Sequence, residues 1–565
     1  MTIDYFYTKR SEKPEVFNNW MDGGVPKSNF YIGMISQVYR DSAYIQVENL
    51  SLFNHRNIRL ESLIPNSINY LVVIDSVQGL FIAEVYQSKV NSSSSVHEAM
   101  NHGIEETIYP EIAVNVIGIL DGNKFKLSGL KTVGITDKVY IANNELISIY
   151  LKSIEINDYQ KKSENEKISY QTSLENLMKL DGFENQSLSL KPNTLFDRHL
   201  MVVGTTNSGK STSSLTILDK LVSANKKVLI LDPTGEYQDS FEKEEIDKFT
   251  LGDDIFLKTA SVDIQFWIDF FNVSSPEDSN KASVLSDAID SLRYQKSNKK
   301  DSALKKDGVE VRTLLDKINK VNDKAFDLKL LPDQINNEAV KPHTDKKTGK
   351  YEFVHDGNLF NASLWLVQKV TYFLQSSLIE KFFNDNDEDD TQTDLFEKLK
   401  EFIKSRDSKS LYLNLSNISK TDTSGRTIVD LISKFIIDKK TTNDTALVLF
   451  IDELHRYVSR YSEESGLISI AREGRKKGIF LFLTTQNPKD VPEVLFGQIG
   501  TMVIHRLTHS EEIAAIQNYL NQNEVSQIPK LNQGEAILTS INLLQDIHVC
   551  FEKSGRKHDN DTPLL

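Results

Sequence analysis

The residue types and spacing with the clearest chemical meaning lie within residues 204–212. Gly204, Gly209, Lys210 and Ser211 occupy the fixed positions of the pattern G-x-x-x-x-G-K-[ST], directly after an apolar run. Glycines at both ends let the backbone curl, so that its N–H groups and the N-terminus of the next helix can face phosphate oxygens. Lys210 would reach the β- and γ-phosphates, and the Ser211 hydroxyl would ligate Mg²⁺. The pattern predicts a P-loop that binds ATP and Mg²⁺ through Gly204, Thr205, Thr206, Asn207, Ser208, Gly209, Lys210, Ser211 and Thr212.

A pair of acids follows a second apolar run. Residues 446–451 are continuously apolar, which is typical of a strand buried on both faces of a parallel sheet, and Asp452 and Glu453 follow directly. Ligands bind at the carboxyl ends of such strands. Asp452 suits a Mg²⁺ ligand, and Glu453 suits a residue that orients or deprotonates the attacking water. The alternative is an acidic turn without a chemical role.

A third strand end carries Asp232 and Glu236, after the apolar residues 228–231. Both acids could act near the γ-phosphate, and Glu236 is included among the predicted nucleotide-binding residues. The alternative is a Pro-Gly turn with solvated acids.

Polar residues near the end of the core could sense or contact the γ-phosphate. Gln486 follows the predicted strand 479–483, and Arg472 and Arg475 lie in the predicted helix 467–477. Basic residues near a helix C-terminus often only complement the helix dipole. The residues themselves leave open whether one of these arginines reaches a phosphate.

The elements that must position these residues alternate between strands and helices from residue 196 onward, which indicates an α/β fold with a RecA-like P-loop core. The earlier part is different, since short β-rich runs between residues 30 and 151, among them 138–141 and 146–151, predict a small β-barrel or sandwich. The predicted organisation begins with an N-terminal extension at 1–27, a β-barrel at 28–156 and a linker at 157–195 with one helix at 170–180. The ATPase core follows at 196–273 and 411–540, interrupted by a helical insertion at 274–410. A C-terminal strand and tail occupy 541–565.

Composition limits the possible functions. The chain has 565 residues, 39% hydrophobic and 26% charged, with a net charge of −14. This charge argues against a protein that coats nucleic acid with its whole surface, although local basic regions remain possible. Lys299, Lys300, Lys305 and Lys306 form such a cluster, and a solvated face is the simpler interpretation. The single cysteine, Cys550, excludes an intrachain disulfide, no apolar run is long enough to span a membrane, and a cytoplasmic location is expected.

The motifs as a set resemble those of the HerA DNA-translocating ATPases of the HerA/FtsK group. The resemblance covers residues 196–509 around the insertion and rests on five segments in order: RHLMVVGTTNSGKST, LDPTGEY, FIDELH, AREGRKKGIFLFLTTQNP and GTMVIHRL. Only the first and third would be expected of P-loop ATPases at large. The family commonly has DEAH where this chain has DELH, so Leu454 replaces a small residue while both acids are retained.

The resemblance implies a role for each matching residue. Lys210 and Ser211 bind the nucleotide and its Mg²⁺, Asp452 and Glu453 form the Walker B pair, and Gln486 is the sensor. Arg198, Arg472 and Arg475 match the family's functional arginines, one of which acts in trans on the neighbouring subunit.

The resemblance also implies partners and assembly. It predicts a homo-hexamer that threads double-stranded DNA through a central channel. The hexamer is expected to work with a partner nuclease or sirtuin-like effector. Related bacterial members use such a partner in defence against phage. The alternative is an ATP-switched hexameric scaffold that assembles and activates an effector enzyme. A metabolic P-loop kinase is a weaker alternative, because no small-substrate motif is present.

Overall fold

The structure is a computed structural model of the whole chain. It describes residues 27–53, 56–58, 61–63, 70–90, 93–104, 108–157, 160–162, 168–170, 172–180, 187–346, 349–375, 382–383, 393–417, 424–458 and 465–558. The predicted N-terminal extension, apart from residue 27, and the acidic run 385–390 lie outside these ranges.

The chain forms two compact units, each assembled from separate stretches of sequence. The first unit takes its residues from Met1–Asp197, Gly204–Thr216 and Gly500–Lys553, and the second from Arg198–Val203, Ile217–Ile499 and Ser554–Leu565. The P-loop therefore belongs to the first unit, whereas the strand that precedes it and the acids Asp452 and Glu453 belong to the second.

The first unit contains a closed β-barrel. Its strands are β1 Tyr31–Val38, β2 Ser42–Val47, β3 Leu71–Ser76, β4 Gly79–Lys89, β5 Glu111–Asp121, β6 Lys124–Lys126 and β7 Lys138–Ile141. They follow the order β2-β1-β7-β3-β4-β5-β6, and an additional β2–β5 pairing closes six of them. Strand β2 has one face in the core, since Ala43, Ile45 and Val47 are buried and the residues between them are not. The predicted N-terminal β-barrel is confirmed.

The strands that follow the barrel in the chain complete the two units. They are β8 Leu174–Leu180, β9 Ser187–Leu190, β10 His199–Val203, β11 Lys227–Asp232, β12 Ile246–Thr250, β13 Ser410–Asn414, β14 Leu447–Ile451, β15 Ile479–Thr485, β16 Ile499–Ile504, β17 Glu535–Ser540 and β18 Ile547–Cys550. Short hairpins join Arg56–Ile58 to Glu61–Leu63 and Gln160–Lys162 to Ile168–Tyr170, and Ile255–Phe256 pairs with Thr393–Asp394.

In the second unit, six strands form a parallel arrangement in the order β10-β15-β14-β11-β13-β12. Every residue of β10, β11, β13 and β14 is buried, as expected for strands covered on both faces. In the first unit, β9, β8, β18, β17 and β16 pair antiparallel in that order. The α/β fold class is confirmed.

The described residues also form helices. They are α1 Ser93–His102, α2 Asn144–Ser153, α3 Pro192–Phe196, α4 Lys210–Ser223, α5 Ile264–Phe270, α6 Ser279–Ser297, α7 Val311–Ile318, α8 Leu331–Asn337, α9 Gly357–Leu374, α10 Leu395–Lys404, α11 Ser424–Lys439, α12 Gly466–Ser469, α13 Arg475–Lys477, α14 Glu493–Phe496, α15 Ser510–Ile516 and α16 Gln522–Gln527. Within the described ranges, no helix is both long enough and apolar enough to cross a membrane.

Two predicted elements are wrong. The helix expected at residues 170–180 is strand β8, in which Asn176 has a φ of +49° and interrupts the pairing register with β9. This irregularity places the apolar residues of β8 at a spacing that imitates a helix. The strand expected at residues 146–151 is helix α2, whose N-terminus is capped by the Asn143 side chain, 2.9 Å from the Leu146 N–H.

The insertion is mainly helical, but it also contains the hairpin Val340–Thr344 and Tyr351–His355, which was not predicted. One lysine of its basic cluster is not solvated: Lys306 is 5% exposed and forms an ion pair with the buried Glu338. That lysine serves packing within the insertion.

Candidate functional site: a phosphate cradle and an acid cluster

The P-loop packs closely against other residues of the first unit. A Cβ atom on Gly204 would lie 2.7 Å from the His505 Cβ, and one on Gly209 would lie 2.7 Å from the Gly534 backbone nitrogen. Gly209 also has a φ of +110°, which L side chains rarely adopt. Close contacts therefore require glycine at both positions, and the backbone conformation of Gly209 requires it as well.

Hydrogen bonds fix the backbone of the cradle. The Thr205 N–H donates to the Arg506 carbonyl at 3.0 Å, and the Gly534 N–H donates to the Ser208 carbonyl at 2.9 Å. The Ser208 hydroxyl donates back to the Thr205 carbonyl at 2.7 Å. The loop is thus connected to two other stretches of the first unit, and helix α4 begins at Lys210, which is buried. The half-buried Ser211 and Thr212 follow in the first turn of that helix.

His505 is the buried support of this loop. Its Nε2 lies 2.8 Å from the Ser213 hydroxyl, and its Nδ1 lies 2.8 Å from the Glu535 carbonyl oxygen. Burial lowers the pKa of His505 to about 4; the hydrogen bond to the Glu535 carbonyl opposes this shift, and the nearby Lys210 adds a smaller lowering effect. The imidazole is therefore neutral at physiological pH and adds no positive charge beneath Lys210.

The second unit holds the two acids. Asp452 and Glu453 follow β14, and both are buried. The Thr484 hydroxyl, at the end of the neighbouring strand β15, donates to Asp452 Oδ1 and accepts the Glu453 N–H at 3.0 Å. One hydroxyl group therefore sets the positions of both acids.

Glu453 is held in an uncommon conformation. Its φ and ψ are 50° and 51°, in the left-handed region that costs a residue other than glycine roughly 1 kcal/mol or more. The Gln486 amide donates to Glu453 Oε1 at 2.6 Å, and His455 Nδ1 lies 3.2 Å from Oε2. Gln486, predicted as a sensor of phosphate, contacts the candidate catalytic glutamate directly.

Asp232 and Glu236 differ from this pair. The Asp232 carboxylate is fully buried and accepts hydrogen bonds from Thr234, Gly235, Tyr237 and Tyr412. These bonds use its lone pairs, so Asp232 fixes the turn that follows β11.

The turn also receives the C-terminal stretch of the second unit. Glu236 lies 3.6 Å from His558 Nε2, and Arg556 forms ion pairs with Asp219 and Glu245. Glu236 is therefore in contact with this C-terminal stretch.

Asp452 and Glu453, here called the acid cluster, supply negatively charged oxygens that suit a small cation. Burial and the carboxylates of Asp452, Asp232, Glu236 and Glu453 together raise the pKa of Tyr237 well above its usual value. No group of three or more His, Cys, Asp or Glu in the described part of the chain forms a metal site by itself. P-loop enzymes hold Mg²⁺ with few protein ligands plus phosphate oxygens, and the Ser211 hydroxyl in the first unit and the Asp452 carboxylate in the second are each hard oxygen donors of the kind that this ion prefers.

The three predicted arginines lie in the second unit, and all are exposed. Arg198 precedes β10. Arg472 lies in a π-helical turn, Ile470–Gly474, and Arg475 follows it. The predicted helix 467–477 is therefore present, but it contains an irregular turn at the arginines.

Two family models match this chain. The model of the HerA helicase central domain matches residues 176–449, and the model of the HerA-like helicase C-terminal domain matches residues 434–542. The chain belongs to the HerA family. Both HerA models include residues of the site: the first covers the P-loop, and the second covers Asp452, Glu453 and Gln486.

Curated relatives support this assignment. A protein described as a probable helicase of Methanocaldococcus jannaschii is 22% identical over 63% of this chain, which spans 62% of that relative's length. A probable HerA double-strand break repair helicase of the same organism is 22% identical over 75% of this chain and 82% of its own. The double-strand break repair helicase HerA of Saccharolobus solfataricus is 23% identical over 67% of this chain and 69% of its own.

Solved structures are similar at a lower level. VirB4 of Thermoanaerobacter pseudethanolicus is 15% identical and covers 68% of this chain and 97% of its own, with a TM-score of 0.45. A likeness at this level adds no functional argument.

Sequence reasoning missed three supporting residues. His505 lies in the GTMVIHRL segment, and Thr484 precedes Gln486, so both stand beside recognised motifs. Tyr412, which binds Asp232, lies within an apolar strand. Nothing in that strand's pattern could have indicated its hydrogen bond.

Proposed function

We propose that this HerA-family chain is an ATP-hydrolysing ring motor that moves double-stranded DNA. The observation that carries the proposal is the arrangement at the end of β14, where Glu453 is oriented by Thr484 and Gln486. A buried glutamate with fixed geometry is what activation of a hydrolytic water requires.

Each site residue has a role in this proposal. Lys210 neutralises phosphate charge, Ser211 and Asp452 hold Mg²⁺, and Glu453 orients and deprotonates the attacking water. Gln486 holds Glu453 and releases or aligns it according to the state of the γ-phosphate. Bound Mg²⁺ would supply the charge that stabilises the transferring phosphoryl group.

The arginines act between subunits. Arg198, Arg472 and Arg475 are exposed in the second unit, as residues that reach a neighbouring active site must be. Arginines supplied in trans raise hydrolysis by roughly 10³ to 10⁵ in well-characterised cases. Hydrolysis should therefore depend on assembly, which we propose is a homo-hexamer around the DNA. A partner nuclease or sirtuin-like effector, a role in defence against phage and a cytoplasmic location are further parts of the proposal, supported only by the family resemblance.

The test is the ATPase rate with and without linear duplex DNA, for wild type and Glu453→Gln, with mass photometry of the same samples. We expect a ring whose hydrolysis rises with DNA and falls at least about 100-fold in Glu453→Gln, because the base is lost. Duplex binding by the ring should weaken steeply with salt, as contacts to phosphates require.

The matched control is Glu512→Gln, since Glu512 and Glu453 are 7% and 6% exposed and Glu512 lies outside the candidate site. This variant should retain the wild-type rate. A ring that hydrolyses ATP slowly and ignores DNA would overturn the motor and favour an ATP-switched scaffold for an effector enzyme.

A further inference from the structure

His199 is a buried histidine with two backbone partners and no assigned role. It begins β10 and is 1% exposed. Its Nδ1 accepts the Leu481 N–H from the neighbouring strand β15 at 3.0 Å. Its Nε2 lies 3.0 Å from the Ala471 carbonyl oxygen. Since Nδ1 accepts, the proton of the neutral ring is on Nε2, and that N–H donates to Ala471.

The second of these bonds reaches an unusual turn. Ala471 lies in the π-helical stretch Ile470–Gly474, and such turns occur mostly as single interruptions of α-helices, often at functional sites. The turn is also pressed against β15, because a Cβ on Gly474 would lie 3.0 Å from the Ile479 carbonyl oxygen. After the turn, the Lys477 side chain donates a hydrogen bond to the Ile437 carbonyl at 2.6 Å. The turn is thus held at three points.

Two exposed residues at this turn are arginines. Arg472 lies within it, Arg475 directly follows it, and Arg198 adjoins His199 in the chain; these three exposed side chains are the arginine face. Burial, opposed by the Ala471 hydrogen bond and reinforced by Arg475 and Arg198, lowers the pKa of His199. The ring therefore remains neutral, as acceptance at Nδ1 requires.

We propose that His199 is a positioning residue for catalysis in trans: its bond to the Ala471 carbonyl holds the arginine face at the geometry that serves the active site of the next subunit. This inference rests on the proposed function, because it requires a ring in which an arginine acts on a neighbour. His199 itself touches no substrate. Its contribution is to orient the long arginine side chains. Catalysis across a subunit interface requires their positions to be correct to within a fraction of an ångström.

Two substitutions separate the two bonds of His199. The side chain of His199→Asn can still accept the Leu481 N–H but is too short to reach Ala471, whereas His199→Gln can place an oxygen and an N–H near both partners. We expect His199→Asn to lower the kcat of DNA-stimulated hydrolysis about tenfold or more, with KM changed by less than about threefold. His199→Gln should keep most of the rate. Equal loss in both variants, or a loss confined to KM, would overturn the proposal.

Mixed rings show whether the defect is donated to the neighbour. In a ring of His199→Asn and Glu453→Gln subunits, a site with an intact Glu453 can receive intact arginines from the Glu453→Gln neighbour. Random equal mixing produces this pairing at about a quarter of the interfaces of a head-to-tail ring, so the mixture should exceed both parents and approach a quarter of the wild-type rate. A mixture no faster than its parents would mean that His199 acts within its own subunit, which overturns the inference.

A parallel mixture distinguishes this failure from failure of the proposed function. Arg198→Ala, Arg472→Ala and Arg475→Ala are each mixed with Glu453→Gln in the same way. Recovery with at least one arginine variant but not with His199→Asn rejects only the role of His199. No recovery with any arginine variant rejects catalysis in trans, and the inference with it. Mass photometry and unfolding temperature of each parent confirm that the rings compared are assembled and folded.

Discussion

The phosphate cradle and the acid cluster are held in place by different kinds of contact. In the cradle, backbone meets backbone: Gly209 packs against Gly534, and carbonyl and amide groups connect the loop to the rest of the first unit. In the acid cluster, side chains hold side chains, since Thr484 and Gln486 bind the two acids.

The difference teaches how each region can respond to ATP. Backbone packed at the contact limit has no second arrangement, so the cradle is expected to be rigid and intolerant of added atoms. The Glu453 carboxylate accepts from the Gln486 amide and the Asp452 carboxylate accepts from the Thr484 hydroxyl, and each can exchange partners at small cost, because a net hydrogen bond contributes only about 1 kcal/mol. The acid cluster is therefore the part able to change with the state of the nucleotide.

The largest expected effect comes from adding one carbon to the cradle. Gly209→Ala places a methyl group 2.7 Å from the Gly534 nitrogen at a φ of +110°. Strain and collision together cost about 3 kcal/mol or more, so ATP binding should weaken at least about 100-fold. The measurement is the dissociation constant of a fluorescent ATP analogue.

The matched control for that variant is Gly308→Ala. Gly308 also has a positive φ, +76°, but an added Cβ would meet nothing within 4 Å. Similar ATP binding by the two alanine variants would show that the contact with Gly534 does not matter and that the cradle is less rigid than its packing suggests.

A smaller effect is expected in the acid cluster. Thr484→Val keeps the shape of the side chain but removes the hydroxyl that binds Asp452 and the Glu453 N–H. An unsatisfied buried group costs about 1–3 kcal/mol, so kcat should fall about 10- to 100-fold, with ATP affinity changed much less. Steady-state kinetics and nucleotide binding together measure this separation.

Two further variants sharpen the test of Thr484. Thr484→Ser restores the hydroxyl and should restore most of kcat. Thr501→Val removes an equally buried hydroxyl, which bonds to Ser540, and should lower stability without lowering kcat. If Thr484→Val instead weakened ATP binding and kcat together, the proposed division between a rigid cradle and an adjustable acid cluster would be wrong.

The smallest effect at neutral pH is expected at His505. Among the described residues that contact the cradle, it is the titratable side chain that supports the loop. The folded state keeps its pKa at about 4, below the ordinary value near 6.5, so the folded state binds fewer protons between these values. The contribution of His505 to the free energy of unfolding is therefore fully present above about pH 6.5. It is lost as the pH falls towards 4, by up to about 3 kcal/mol.

Chemical denaturation of wild type and His505→Asn across pH 4–8 checks this expectation. The asparagine variant lacks the titrating group, so the difference in unfolding free energy between the two proteins should shrink as the pH falls. Parallel curves would show that protonation of His505 is not linked to folding.

Much of the site could be predicted because its chemistry lies in contiguous motifs. The P-loop spacing, the acids after β14 and the barrel strands each follow from a local pattern, and β7 has the predicted bounds of residues 138–141. Prediction failed where a local pattern was ambiguous. In β8, the bulge at Asn176 gave a strand the apolar spacing of a helix, and in α2 a capping Asn143 was overlooked.

The sequence by itself determined which residues can bind phosphate, hold Mg²⁺ and activate water, since these properties belong to residue types at fixed spacing. Only the tertiary structure decided which of them are available for that chemistry. Asp232 and Asp452 both follow buried strands, yet Asp232 is occupied by its own turn and by Tyr412. Contacts such as Thr484 with Asp452 and His199 with Ala471 join residues 32 and 272 positions apart, and no local pattern encodes such pairs. They exist because a polar group that is buried in a packed sheet needs a hydrogen-bond partner there, whatever its distance along the chain.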